Sequence, residues 1–179
     1  MTDLDDFGYP LPRPTYSLSD IPEGREGVLA TLKIMRDQVH KYKAAPPIRE
    51  LALQICAPVN GNDKNYLLFT QKIFNFVQQK IGYIRDIRGV ETIQSPLVTL
   101  QMGAGDCDDK STLSACLLES IGLPTRFVAM GFVKGRLSHV ITQVNLGRRG
   151  EQWVSLDCTE NKPLGWTPPR IKDSLVLPN

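Results

Sequence analysis

The spacing of apolar residues changes once along this chain, at Gly122 to Pro124, and that change decides the class of fold. Upstream of it apolar side chains recur every three or four positions; downstream they alternate. Steps of three and four gather side chains on one face of a helix, whereas alternation gathers them on one face of a sheet. A chain that finishes its helices before starting its strands cannot build the alternating units of a parallel sheet. It is expected to be α+β, with helices packed on an antiparallel sheet. With 179 residues it has room for one domain with its own core and too little for two.

Within the first part, Val28, Leu32, Met35, Val39 and Tyr42 mark one face of a helix over 23–43. "PPIRELALQICAP" (46–58) opens with proline, which suits the first helical position, and stops at proline. The run 63–86 predicts a third helix, buried on more than one side through Leu67, Phe69, Ile73, Phe74, Phe76, Val77 and Ile81. "VETIQSPLVTLQMGAG" reads as a short helix or an irregular approach to the glycines. A helix of about four turns follows from Cys107 to Ile121, stopped by Gly122 and Pro124. "TRFVAMGFV", "SHVITQVNL" and "EQWVSLDCT" are then three strands, the last two joined by a turn at Gly147 to Gly150.

The ends read differently. Residues 1–22 hold Pro10, Pro12, Pro14 and Pro22 with no helical or strand period, giving an extended arm that could dock on the body or on a partner. Residues 23–169 form the single domain, and 170–179 a tail wrapping its surface.

Composition excludes more than it selects. A formal net charge of +2 with scattered cations argues against nucleic acid as a partner. No apolar run approaches the roughly 18 residues that would cross a bilayer, so no membrane partner is expected. The acidic, proline-rich start lacks the basic and apolar segments of a secretory signal, which points to the cytoplasm, or to a virion if the gene is phage-encoded. The four cysteines, Cys56, Cys107, Cys116 and Cys158, are far apart, and in that setting they are expected to be free thiols.

One of them stands apart. In "MGAGDCDDKSTLSACLLESIGLP" two glycines free the backbone, Asp106 can cap, and Cys107 falls in the first helical turn. Free N–H groups and the helix dipole favour a thiolate there, while Asp106, Asp108 and Asp109 oppose it. A nucleophilic thiol needs a base, and His139 is one of only two histidines. Pairing Leu146 with Gly150 carries the register through Thr142 with Val154 and sets His139 opposite Asp157 on one sheet face. Val140, Thr142, Val144, Val154 and Leu156 then form the mostly apolar core face. An imidazole beside a carboxylate is the base and orienter of a triad. The Cys107 backbone N–H would be one oxyanion donor, with Gln101 or Gln94 supplying a side-chain donor.

The other chemistry-bearing residues have plainer readings. Cys116, nine positions on, turns to the opposite side of the helix, and Cys158 points to the other sheet face from Asp157, so both read as core. Cys56 ends an apolar helix, and His40 sits among solvated residues. A metal site is not expected, because no close ligand pair exists. Trp153 either lines an acyl-group pocket or packs, and Trp166 either anchors the tail or rims the cleft.

Taken together, "GAGDCDDKSTLSACLLESIGLPTRFV", "SHVITQV" and "WVSLDCTE" resemble the transglutaminase-like superfamily, within the wider papain-like cysteine enzymes. "IGYIRDIRGVETIQSPLVTL" and "KPLGW" resemble its small bacterial and prophage-encoded members, and the likeness runs from about Ala44 to Pro169. The resemblance implies a papain-like core with Cys107 as nucleophile, His139 as general base and acid, and Asp157 as orienter. It implies thiol attack on an amide of a protein or peptide, without a cofactor. Water as acceptor gives a peptidase or deamidase, the outcome small bacterial relatives favour, and a lysine amine gives a transglutaminase. The alternative is a structural or maturation component of a phage-type assembly, with the arm at 1–22 as the contact to a partner.

Overall fold

The computed structural model describes residues 21–57, 65–86, 92–147 and 151–179. The expected arm falls almost wholly outside these residues. Five helices precede a four-stranded antiparallel sheet, as the change of period predicts.

Helix α1 (Gly24–Tyr42) buries Thr31, Leu32, Met35 and Val39 along one stripe. Its start is pinned by glycine: a Cβ on Gly27 would lie 1.7 Å from the Pro22 carbonyl oxygen. Helix α2 (Pro46–Cys56) opens with Pro46 and buries Ile48, Ala52 and Cys56. Helix α3 (Tyr66–Lys80) is shorter than the pattern suggested, capped by Asn65 accepting from the Leu68 N–H at 3.0 Å. Its burial is one-sided, on Thr70, Ile73, Phe74 and Val77, while Leu67 is 57% exposed. The chain then enters β1 (Gly82–Tyr83) instead of continuing as helix.

The ambiguous segment resolves as α4 (Pro96–Met102), capped by Ser95 and ended by Gly103 in the left-handed conformation, φ 62°. Strand β2 (Ala104–Gly105) pairs in parallel with β1. The two glycines before Cys107 therefore serve different ends. Gly103 supplies a positive φ that side chains resist. Gly105 supplies room, since a Cβ there would lie 2.5 Å from the Asp109 Cβ.

Helix α5 (Cys107–Ser120) runs through the middle of the molecule. Leu113, Cys116 and Leu117 pack with α2 and α3, and Ala115 packs with α1 and the sheet. Being buried on all sides, its hydroxyls must be satisfied within the protein. Thr112 donates to the Asp108 carbonyl, Ser114 to Lys110 and Ser120 to Leu117, at 2.7–2.8 Å. Ser111 and Thr142 tie the helix to the sheet: Ser111 donates to the Val140 carbonyl, and Thr142 to that of Ser111.

The sheet follows as β3 (Thr125–Gly131), β4 (His139–Asn145), β5 (Trp153–Leu156) and β6 (Asp173–Pro178), in the order β5-β4-β3-β6. Two expectations need correction. Residues 173–178 are not surface tail but an edge strand paired with β3, its start held by an Arg25–Asp173 ion pair of 3.0 Å. The β4–β5 register is Val144 with Val154 and Thr142 with Leu156, two residues from the one expected. An even slip leaves every side chain on its face, because the side-chain period is two. Val140, Thr142, Val144 and Leu156 accordingly remain buried beneath α5.

Candidate active site

Three elements converge at one end of the sheet: the start of α5, the start of β4 and the chain just beyond β5. At α5, Asp106 accepts from the N–H groups of Asp108 (2.9 Å) and Asp109 (3.2 Å). Asp109 returns the bond by accepting from the Asp106 N–H at 3.2 Å, which completes a capping box. Its other oxygen accepts from the Gln94 N–H at 2.7 Å, fastening the approach loop to the helix. Asp109 is 1% exposed, and burial pushes its carboxyl up to about 7.

Cys107 is half-buried in the first turn. Burial pushes its thiol well above the usual range, and the carboxylates of Asp108 and Asp106 push the same way. The Val140 backbone works in the opposite sense through a hydrogen bond to the sulfur. The thiol donates to Asp108 Oδ1 at 3.4 Å. Burial and the acidic neighbours thus outweigh the Val140 hydrogen bond and favour the thiol over the thiolate.

His139 is the first residue of β4 and adjoins the Val140 that touches the sulfur. Its Nε2 lies 2.8 Å from Asp157 Oδ2. Because of the shifted register the pair is diagonal across β4 and β5, not directly opposite. Asp157, one residue past β5, is buried, and its Oδ1 accepts from the Thr159 N–H (3.1 Å) and hydroxyl (2.6 Å). Burial pushes the Asp157 carboxyl up, but the bonds from His139 and Thr159 prevail and hold it below its ordinary value. With Nε2 engaged, Nδ1 is the ring nitrogen left to exchange a proton elsewhere.

The remaining candidates separate. Gln94 is tied to the first turn of α5 through Asp109, and its Oε1 is buried without a hydrogen-bond partner among the described residues. Gln101 is exposed on α4. Trp153 pairs with Asn145, six residues along from His139 and so about 20 Å down the sheet. There it stacks under Arg126, 4.0 Å from the ring centre, in keeping with the packing reading rather than the acyl-group pocket. Trp166 is half-buried in the loop after β5, with Lys162 5.8 Å over its ring. Cys116, Cys158 and Cys56 are buried in the core.

Periodicity did not reveal Asp109, Thr159 or Lys110. Lys110 is 2% exposed and donates to the Ile81 carbonyl at 2.6 Å, joining α5 to the end of α3. The signals were present: Asp109 stands three residues after the capping Asp106, and Thr159 two residues after Asp157, as an Asx turn requires. Asp106, Cys107 and Asp108 also bring three potential ligand atoms within 4.8 Å of one another.

Comparison with curated proteins gives no match. Among solved structures, LapG of Legionella pneumophila in an EGTA-treated form superposes with a TM-score of 0.53 at 18% identity, over 79% of this chain and 78% of that one. Its calcium-bound form gives 0.52 at 18%, over 79% and 80%. A candidate protease of Parabacteroides distasonis gives 0.52 at 12%, over 74% of this chain but 30% of the larger protein. These likenesses establish the papain-like, transglutaminase-like fold. The sequence model of the transglutaminase-like superfamily core covers residues 53–158, from within α2 to just past Asp157. The chain is a member of the transglutaminase-like superfamily.

Proposed function

We propose that the chain is a cysteine peptidase, hydrolysing amide bonds of protein or peptide substrates through a thioester on Cys107. The observation that carries this reading is the half-buried His139–Asp157 hydrogen bond at the strand start that touches the Cys107 sulfur. Asp157 holds the imidazole by Nε2, so Nδ1 is the base. The Cys107 proton passes to Nδ1 as sulfur attacks the amide carbon, and the Cys107 backbone N–H stabilises the oxyanion. His139 returns the proton to the departing amine, then takes one from the water that cleaves the thioester. Gln94 is the better placed of the two glutamines to add a second oxyanion donor.

Legionella LapG has been captured with calcium. In this chain Asp106 and Asp108 carry the hard oxygen donors that calcium takes, beside a thiol that burial first, and their charge second, push above its usual range. A cation held there would offset that charge.

The test is the alkylation rate of each cysteine against pH, resolved by mass spectrometry, beside hydrolysis of labelled casein, in the wild type and His139→Ala. The expected result is that Cys107 alone reacts fast below pH 8 in the presence of calcium. It should slow with EGTA or in the variant, with hydrolysis falling in parallel. Equal behaviour of Cys107 in both proteins would remove His139 as its base. Casein joined to an added amine instead of cut would make the enzyme an acyltransferase.

A further inference from the structure

The end of the sheet that carries His139 also carries an exposed surface that the proposed chemistry does not use. It is built from two stretches distant in sequence, the loop between β3 and β4 and the chain leading into β6. They meet where the Lys172 N–H donates to the Gly131 carbonyl at 2.8 Å.

The loop is held firmly. Arg136 donates to the Val133 carbonyl at 3.1 Å, and Ser138 to that of Met130 at 2.9 Å. The two arms are so close that a Cβ on Gly131 would lie 2.1 Å from the Arg136 carbonyl oxygen. Yet this rigid base turns apolar side chains outward: Phe132 is 41% exposed and Val133 64%. Across from it, Ile171 is 40% exposed. Its neighbour Arg170 takes a left-handed backbone, φ 64°, the one non-glycine to do so among the described residues. Side chains resist that backbone region, so its occurrence here draws attention to the segment.

Cations surround the apolar residues. Lys134 and Arg136 are exposed on the loop, Arg170 and Lys172 on the facing stretch, and no ion pair engages them among the described residues. Neither 131–138 nor 161–172 contains Asp or Glu. The next acid, Asp173, is held by Arg25. A whole-chain charge of only +2 makes this a local concentration, unlike the broad basic face that nucleic acid needs.

We propose that this surface docks an acidic polypeptide segment carrying apolar side chains. Carboxylates would lie against the four cations and apolar groups against Phe132, Val133 and Ile171. That the segment belongs to the substrate, flanking the amide presented to Cys107, rests on the hydrolase reading; the docking surface itself does not.

The experiment uses full-length protein with Cys107→Ala, so that nothing is turned over. Binding is followed by the anisotropy of a labelled peptide alternating Asp or Glu with Phe or Leu. A matched peptide with Lys and Arg in the acidic positions is the control, and phosphatidylserine vesicles are the competing surface. The acidic peptide should bind in preference. Lys134→Glu with Arg136→Glu should weaken it at least about tenfold, as should raised salt. If that variant is poorly folded, Arg170→Glu with Lys172→Glu reads the same surface from its other half. Equal binding of the two peptides, indifference to both charge reversals, or preference for vesicles would overturn the proposal. Acidic-peptide binding by a protein whose wild type cleaves no substrate would remove the hydrolase reading and leave the surface in place.

Discussion

Helix α5 and the β3–β4 loop meet near the same site and treat polarity in opposite ways. The helix takes aspartates, a lysine, serines and a threonine into the interior and satisfies them there. The loop puts phenylalanine and valine into solvent and leaves its cations without ion-pair partners among the described residues. Buried polar groups that are fully bonded fix one geometry, which a reacting thiol needs. Exposed apolar and charged groups stabilise nothing in the fold, and they keep their binding energy for a partner. The contrast separates a part that positions from a part that recognises.

The contrast breaks most severely at Leu117, which is fully buried in α5. Leu117→Ala should cost about 2–5 kcal/mol by leaving a cavity, measured by urea unfolding. It should also disorder the thiol, levelling the alkylation of the four cysteines. Gly131→Ala tests the base of the loop, where the added methyl must push two backbone arms apart. The expected cost is about 1–3 kcal/mol, with acidic-peptide binding lost before the fold is.

Asp157 provides a smaller, pH-dependent test. Its carboxyl is held below its ordinary value, so it favours the folded chain above about pH 4, its unfolded range. That contribution disappears as pH falls through the depressed folded value. Urea midpoints should therefore drop more steeply for the wild type than for Asp157→Asn between about pH 5 and about pH 2. The smallest effect is expected from Val133→Ser. It should change stability by no more than about 0.5 kcal/mol while weakening peptide binding, and a large loss of stability would mean that the loop is structural after all.

How much of this was legible depends on how far apart the interacting groups lie in sequence. Asp106 capping α5, Pro46 opening α2, Gly122 closing α5 and the two hydrophobic periods are settled within a few residues by sterics and local hydrogen bonds, and the sequence alone determined them. His139 and Asp157 shared a face in either register because parity survives an even slip. The register itself, Val144 with Val154, could not be read from either strand alone, because it depends on how both pack beneath α5. Strand β6 escaped notice because its pattern has meaning only beside β3. The upward push on the Cys107 thiol was hidden for the same reason: dipole and neighbouring acids could be read from sequence, but burial, the largest contribution, depends on what the whole chain places around the sulfur. Only the tertiary structure brought residues 132–136 against 170–172, since contacts between distant segments are chosen by the packing of the complete core.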